Sequence, residues 1–299
     1  MFHRAVQLVS SGSAGARKAA SRVTSSLLAS TLLLVATMPA YASDTWPEAV
    51  NARYKLKFQG IEVGKLDFHS QTSPQGYTIN GGAQLSVLLG LFKIKTAGNA
   101  TGAIAGGGAA AAPQPKTYAF DWQGGKKHGA IKLGFEGGAA KHISVDPPPS
   151  PSPETIPLLD KHKANVVDPI SAIMVLTRND GKPCDKRVPV FDGKHRFDVV
   201  FSFKRQQPIK PAGGSKVASG EVGIVCAVTY VPIAGHKQKA ETEAFAKNRD
   251  MEVLLRRLPG SDMMVPHTVT IPTAWGTATM VSDRIDVTSS KAGQIALRD

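Results

Sequence analysis

The sequence predicts an all-β protein, built as a strongly curved antiparallel sheet or barrel-like meander of about ten or more strands with one short helix. In many short segments, apolar and polar side chains alternate with a period of two. This alternation is typical of a sheet with one buried face and one wet face. Clusters of Gly, Pro, Asn and Asp separate these segments and indicate turns. Many short strands joined by such turns favour a barrel or a strongly curved sheet.

The N-terminal half is predicted to be a meander of strands. Tyr54, Leu56 and Phe58 alternate with basic residues, so the first strand has one apolar face and one charged face. Further strands are predicted at 61–68, 77–85, 117–122, 128–135 and 139–145. The Ala/Gly-rich stretch 102–112 is predicted to be a flexible loop, because no phosphate-loop lysine and hydroxyl follow it.

The Pro-rich stretch 146–157 separates this meander from the second half of the chain. Proline fits neither a helix interior nor a central strand, so the stretch is predicted to be an extended linker within a single domain.

One helix is clearly marked after the linker. Asp168 is a suitable N-cap, and Pro169 suits the first helical position. Apolar residues then recur on one face until the Asn-Asp-Gly stop at 179–181. A helix this short is expected to fill or pack against the concave side of a curved sheet.

The second half of the chain is organised around the segment between its two cysteines. Asp192-Gly193 is a strong hairpin turn, because glycine accepts positive φ at no steric cost. Alternating strands are predicted on either side of this turn and further along, at 196–204, 221–233, 251–258, 265–271 and 275–287. Residues 241–250 fit either a loop or a helical turn.

Cys184 and Cys226 are the only cysteines, and a disulfide between them is predicted. The bridge would close a long loop, for which the chain-entropy model gives about 4 kcal/mol of stabilisation. The alternative is a redox or nucleophilic cysteine, but there is no Cys-x-x-Cys motif and no helix start beside either residue. Two cysteines without paired histidines do not complete a zinc site, so no metal is predicted.

The first 42 residues are predicted to be a secretory signal peptide, followed by one β domain over 43–299. A basic segment without acidic residues precedes an apolar run at 27–38, and Ala40-Tyr41-Ala42 fits the cleavage rule. No cysteine follows the cleavage site and no twin arginine precedes it. We therefore expect a soluble periplasmic protein exported by the general route, not a lipoprotein and without a membrane span after cleavage.

The positive charge of the chain suggests anionic partners. The signal holds four of the 36 basic residues and none of the 23 acidic ones, so the mature chain keeps a charge of +9. An excess of this kind outside the cytoplasm favours lipid head groups or other anionic envelope components, although it also simply favours solubility. Nucleic acid is not expected, because the basic residues are scattered without interleaved aromatic residues. A candidate anion-facing rim, with a merely solvated basic face as the alternative, consists of Lys194, His195, Arg196, Lys204 and Arg205.

The sequence contains no recognisable catalytic constellation and predicts no cofactor. There is no Gly-x-Ser-x-Gly elbow, and no two histidines stand at a helical metal-ligand spacing. His195 lies beside a turn between two basic residues, which is more typical of a solvated loop than of a general base.

Several motifs in order resemble a known family. They are Tyr54-x-Leu-x-Phe-x-Gly-x-x-x-Gly64, Asp168-Pro-x-Ser-Ala172, Val190-Phe-Asp-Gly-x-x-Arg-Phe197 and, after Cys226, Tyr230-x-Pro-Ile-Ala-Gly235. Together they resemble the secreted proteobacterial family catalogued as domain of unknown function 3108, from about Tyr54 to Val287. The resemblance implies an envelope-localised β protein and supplies no catalytic residue. It also implies a curved sheet similar to lipoprotein-carrier folds, which is analogy of fold alone.

Two classes of function follow. The first is a non-catalytic periplasmic envelope protein that binds an apolar or amphipathic ligand, or a partner, and supports envelope integrity. The second is an enzyme acting on an envelope polymer or lipid, with an active site dispersed over distant strands. A concave apolar surface partly filled by the helix would favour the first class, and a deep polar cleft with paired carboxylates would favour the second.

Overall fold

The computed structural model describes residues 46–299 except 88–89, 91, 107–110, 179–180, 210–219, 260 and 262. The predicted signal peptide and its cleavage site lie outside the described residues. Within these limits the chain forms strands β1 to β14, helices α1 and α2, and a 3-10 helix at Asp160–Lys163. The strands are β1 Ala49–Phe58, β2 Ile61–Ser73, β3 Gly76–Val87, β4 Phe92–Ala105, β5 Ala112–Gly124, β6 Lys127–Glu136, β7 Ala139–Asp146, β8 Lys186–Phe191, β9 Arg196–Pro208, β10 Val222–Ala234, β11 Glu252–Arg257, β12 Met264–Thr273, β13 Gly276–Ser289 and β14 Gly293–Arg298; the helices are α1 Ser171–Thr177 and α2 Ala240–Lys247.

All of these strands belong to one antiparallel sheet, as the sequence predicts. Its order is β7-β6-β5-β4-β3-β2-β1-β13-β12-β11-β10-β9-β8. One edge of β13 pairs with β1, while its other edge pairs first with β12 and then with β14. The sheet is therefore two meanders joined through the β1–β13 ladder, which connects the two ends of the described chain.

The two outer strands, β7 and β8, meet through a short segment at 164–167 rather than through a ladder of their own. On the β7 side, the Asn165 N–H donates to the Gly138 carbonyl at 2.8 Å. On the β8 side, the Val167 N–H donates to Pro189 at 2.9 Å, and the Phe191 N–H donates to Val167 at 3.0 Å. This seam nearly closes the sheet into a barrel.

The period-two alternation sorts side chains between the inside and the outside of this barrel. In β1, Val50, Ala52 and Tyr54 are buried in the interior, while Asn51 and Arg53 between them are exposed. The same division continues along neighbouring strands, because paired residues in an antiparallel sheet share a face. The interior is therefore an apolar core enclosed by the sheet.

Helix α1 lies in this interior. Met174 packs with the cluster around Trp46 and Tyr54, while Val175 and Leu176 pack against the cluster that contains the disulfide. The Asp168 carboxylate accepts the N–H groups of the residues that start the helix, at 2.9 and 2.8 Å. Asp168 thus acts as the predicted cap, and the helix fills the concave side of the sheet as expected.

The structure differs from the prediction in three places. Strands β4 and β5 extend into the Ala/Gly-rich stretch that was predicted as a loop, because its small residues allow close approach: a Cβ on Gly102 would lie 2.5 Å from the Tyr77 hydroxyl. The ambiguous stretch at 241–250 contains helix α2. Strand β14 was not predicted at all, because its six residues show too short an alternation.

The predicted disulfide between Cys184 and Cys226 is present, with the two Cα atoms 5.2 Å apart. Both cysteines are buried in the interior, next to Val188 and Val253. The bridge ties the segment that follows α1 to the middle of β10.

Candidate functional site

An apolar cavity of about 250 Å³ lies inside the barrel next to α1. Its wall comes from β1, β2, β3, β12 and β13 and from the helix. The lining residues are Trp46, Pro47, Val50, Ala52, Tyr54, Leu66, Phe68, Ser70, Thr72, Ile79, Ile173, Met174, Leu176, Thr177, Met263, Val265, Pro266, Val269, Met280 and Ile285. An apolar cavity of about 150 Å³ is known to stay dry and to admit a benzene ring, so this one has room for an apolar group of similar or greater size.

Three polar groups of the cavity wall donate hydrogen bonds within the wall itself. The Trp46 indole N–H donates to the Met174 carbonyl at 3.4 Å, and the Thr177 hydroxyl donates to the same carbonyl at 3.3 Å. The Thr72 hydroxyl donates to the Pro47 carbonyl. These donors already have acceptors, and most of the other side chains in the wall are apolar, with the hydroxyls of Tyr54 and Ser70 as polar points.

A small polar cluster is buried beside the start of α1. The Tyr77 and Ser171 hydroxyls lie 2.7 Å apart, and the Asp168 carboxylate is wholly buried nearby. Burial raises the pKa of Asp168 above its usual range, against the hydrogen bonds that it accepts from Ser171 and Ile170. Its Oδ2 has no hydrogen-bond partner among the described residues. The cluster is therefore a polar point within an otherwise apolar core.

A second concave region is an open groove between α2 and the β12–β13 turn, with Phe197, Tyr230, Phe245 and Trp275 in its wall. It also contains His236, whose ring stacks on that of His195 with centroids 4.6 Å apart.

Hydrogen bonds extend from this histidine pair in both directions. The Tyr230 hydroxyl lies 3.0 Å from Nε2 of His236. His195 Nδ1 lies 3.0 Å from the Asp192 carboxylate, which also accepts the backbone N–H groups of Lys194 and His195. Burial opposes ionisation of Asp192, but His195 and these N–H groups outweigh it and lower the pKa of the carboxyl. Burial and then the charge of His195 lower the pKa of His236.

The five residues of the predicted anion-facing rim fall into two groups at opposite parts of β9. Lys194, His195 and Arg196 lie at its start, and Lys204 and Arg205 lie about 30 Å further along, at about 3.3 Å per residue. The structure therefore does not bring them together as one rim.

Most of these basic groups already have acidic partners. Arg196 lies 2.5 Å from Asp198, and Lys204 and Arg205 lie 2.6 and 2.8 Å from Glu252. Hydrogen bonds from Arg205, and then from Lys204, lower the pKa of Glu252 to about 2, against the effect of burial. Anion binding by either group remains a prediction.

A serine, a histidine and an aspartate that are distant in sequence lie close together where β12 ends its pairing with β13 and β14 begins. The Ser282 hydroxyl lies 2.8 Å from His267 Nδ1 and donates to the Asp299 carboxylate. The same Nδ1 lies 3.4 Å from that carboxylate, which Arg256 also contacts at 2.9 Å. In a catalytic triad the serine and the acid occupy opposite nitrogens of the histidine.

The serine of this cluster is also sealed from solvent, since Ser282 is 1% exposed. The geometry is that of a buried polar network whose side chains provide one another with hydrogen-bond partners where the two strands separate. It is not that of a nucleophile with its base.

A deep polar cleft with paired carboxylates is the feature that would favour an enzyme, and the nearest approach to it is a shallow groove on the outer face. Asp67 and Asp286 line this groove. Each is neutralised by arginine: Arg53 lies 2.6 Å from Asp67, and Arg284 and Arg298 lie 2.5 Å from Asp286. Burial opposes ionisation of Asp286, but the two arginines outweigh it and lower the pKa. Asp286 therefore lacks the raised pKa of a general acid.

Two further properties concern only the described part of the chain. It contains no cluster of three or more His, Cys, Asp or Glu side chains arranged to hold a metal ion. Its helices are all too short or too polar to cross a membrane.

The fold and the cavity define a barrel-like antiparallel β protein with an apolar interior. Residues 53–283 match the family described as protein of unknown function (DUF3108), and the chain belongs to this family. The predicted resemblance is thereby confirmed. No curated protein matches the chain at a significant level.

A solved structure supports the fold. The chain is similar to a β-barrel-like protein of domain of unknown function DUF1849 from Brucella abortus, known from a crystal structure. The TM-score is 0.52 at 11% sequence identity, and the match covers 81% of this chain and 99% of that chain. At this identity the likeness shows the fold alone.

Sequence reasoning did not identify the cavity residues as a site. The alternation in β1 and β2 indicates which side chains face inward, and this signal is correct for Ala52 and Tyr54. It does not indicate where inward-facing side chains fail to fill the space between them. That depends on the closure of the sheet and on the depth at which α1 sits.

Proposed function

We propose that this protein is a non-catalytic binding protein of the bacterial envelope that holds an apolar or amphipathic ligand, such as an acyl chain, inside its barrel. The observation that carries the proposal is the mostly apolar cavity next to α1, in which the Trp46 indole and the Thr72 and Thr177 hydroxyls already donate to carbonyls of the chain. A mostly apolar concavity with few convergent polar groups is the usual form of a small-ligand site. The ligand would be recognised by its hydrocarbon part.

The envelope location is part of the same proposal. The disulfide is typical of proteins in oxidising compartments, and the N-terminal segment has the composition of a secretory signal. An enzyme acting on an envelope polymer has less support. The Ser282 cluster is sealed from solvent, and each carboxylate in the outer groove is paired with arginine.

Ligand binding can be tested with the mature protein purified from its own compartment. Native mass spectrometry with lipid extraction should show a stoichiometric apolar ligand, and a fluorescent fatty acid should bind to the delipidated protein. In Ala52→Phe, a ring added to the cavity wall should lower the affinity for the fatty acid by roughly tenfold or more, because it fills the space of the ligand.

A matched control is Ala97→Phe, which adds the same ring at an exposed position of β4 and should leave the affinity unchanged. If Ala52→Phe is poorly folded, Val265→Phe fills the cavity from β12 instead. A clean apo mass together with no fatty-acid binding would overturn the proposal.

A further inference from the structure

One edge of the barrel gathers the turns of several neighbouring hairpins. The strand registers place the β1–β2, β3–β4, β5–β6 and β12–β13 connections at the same edge, since each pair of neighbours begins or ends there. We call this edge the mouth. Helix α2 lies beside it, because Phe245 and Trp275 line the same groove.

The mouth is the most apolar exposed part of the described surface. Of the nine large hydrophobic side chains that are exposed among the described residues, five lie here, so they form a concentration rather than a scatter. Their exposed fractions are 71% for Ile61, 55% for Phe92, 39% for Ile94, 37% for Phe245 and 81% for Trp275.

Three of these side chains belong to the inner face of the sheet. Ile61 pairs with Phe58 of β1. Phe58 lies on the same face of β1 as Leu56 and the buried Tyr54. In β4, Phe92 and Ile94 share a face with the wholly buried Ala100. The apolar inner face of the sheet therefore reaches solvent at the mouth, whereas the cavity lies further inside, towards the β2–β3 turn and the start of β12.

Exposed lysines accompany the apolar side chains on the β1–β6 part of the mouth, whereas the groove of Phe245 and Trp275 has charges of both signs. Lys93 and Lys95 alternate with Phe92 and Ile94 in β4 and so lie on the outer face of the same strand. Further exposed lysines of the mouth are Lys65, Lys126 and Lys127. Among the described residues, salt bridges from these five lysines to carboxylates are absent. The exposed carboxylates nearest to them along the strands are Glu62, Asp121 and Asp146.

We infer that the mouth docks on the surface of an anionic lipid bilayer. Aromatic and aliphatic side chains at hairpin tips enter the interfacial layer of a membrane, and lysines around them meet anionic head groups. Exposed apolar side chains beside lysines without acidic partners among the described residues are complementary to such a surface. Docking goes beyond ligand binding, and it rests on the surface of the mouth alone.

Docking can be measured by co-sedimentation of the whole mature protein with vesicles, without added ligand. Binding should be strong with phosphatidylcholine vesicles that contain phosphatidylglycerol, weak with phosphatidylcholine alone, and should fall as salt is raised. Trp275→Ser should lower the partition coefficient by roughly tenfold, because the exposed ring no longer enters the interface. Phe203→Ser removes an exposed ring elsewhere, on β9, and should change nothing.

The charge can be tested separately. The double variant Lys93→Gln/Lys95→Gln should lower the partition coefficient by roughly fivefold per lysine. Lys116→Gln/Lys132→Gln makes the same change in net charge at exposed positions of β5 and β6 away from the mouth, and it should have little effect. Equal effects of the two double variants would mean that overall charge drives binding, which would overturn docking by the mouth.

The outcome is independent of the cavity. Ala52→Phe should still bind vesicles while losing the fatty acid, and Trp275→Ser should still bind the fatty acid in solution. If the protein binds the fatty acid but no vesicles, or binds both vesicle types equally, docking is overturned and the proposed function stands.

Discussion

The stacked rings of His195 and His236 are the most unusual contact in the molecule at the scale of single residues. Two imidazoles this close cannot both carry a positive charge without repulsion, and only His195 has a carboxylate beside it. His236 is buried, contacts the Tyr230 hydroxyl, and has a lowered pKa. The arrangement therefore favours a neutral His236 in the folded protein.

This preference predicts a dependence of stability on pH. The histidine titrates near 6.5 in the unfolded chain and at a lower pH in the folded protein. The unfolded state therefore binds more protons around pH 6. Stability should be complete above about 6.5 and should fall as the pH drops through that value towards the folded pKa. His236→Gln should flatten this loss in melting temperatures measured between about pH 5 and pH 8.

The control for this prediction is His128→Gln, at an exposed position of β6, which should keep the pH dependence of the parent protein. An unchanged pH profile in His236→Gln would assign the acid sensitivity to other groups.

Some residue-scale features could be predicted from the sequence and others could not. The roles of Asp168 and Asp192 follow from neighbours two or three positions away, with which each makes its hydrogen bonds. The contact of His195 with His236 joins a turn to the end of a distant strand. No spacing rule reports such a contact, so the sequence described His195 as a solvated loop residue.

At the scale of elements, the disulfide links the segment before β8 directly to β10. In the sheet, β9 lies between these two strands. Cys184 precedes β8, and Cys226 lies in the middle of β10. The bridge also holds the chain leaving α1, so it fixes the helix in the interior as well as the strands around it.

Removing the disulfide should lower the free energy of unfolding by about 4 kcal/mol, because the 42-residue separation gives a large loop-closure entropy in the unfolded chain. Cys184→Ala/Cys226→Ala should show this loss in denaturant unfolding, and reductant should move the parent protein towards the same midpoint. Reductant should not affect the double variant. An identical midpoint for the parent and the double variant would remove the bridge as a source of stability.

Elements were predictable from sequence to the extent that their signals are local. Strong alternation identified β9 and β10 close to their true bounds. Strand β14 was missed because six residues give little alternation to detect, and its existence depends on the free half of the β13 edge. Helix α2 was ambiguous because none of its residues is buried, so it has no clear apolar stripe.

For the whole molecule, closure depends on the seam between β7 and β8. Phe191 at the end of β8 is wholly buried in a cluster with Tyr118, Leu133 and Val166. Tyr118 and Leu133 lie on the other side of the seam, and Val166 lies in the segment within it. This packing supplements the few backbone hydrogen bonds there. The alternation of the strands predicts a curved sheet, but closure depends on this long-range packing, which sequence periodicity does not report.

Phe191→Ala should therefore lower the free energy of unfolding by about 3–5 kcal/mol, through loss of buried area and creation of a cavity. It should also speed hydrogen exchange at the seam amides of Asn165, Val167 and Phe191. Phe203→Ala removes the same side chain from an exposed position and should change stability by no more than about 0.5 kcal/mol. Equal effects of the two variants would contradict the importance of the seam.

The ladder between β1 and β13 has a consequence for the order of folding. The ribosome makes β1 long before β13, because many strands lie between them in the chain, yet each of these strands completes the pairing of the other. Until then, the first meander has an unpaired edge and an uncovered apolar face, and such distant pairing is slow to form. The barrel therefore cannot close until β13 has been made, so the first meander waits for a strand of the second before its edge is covered.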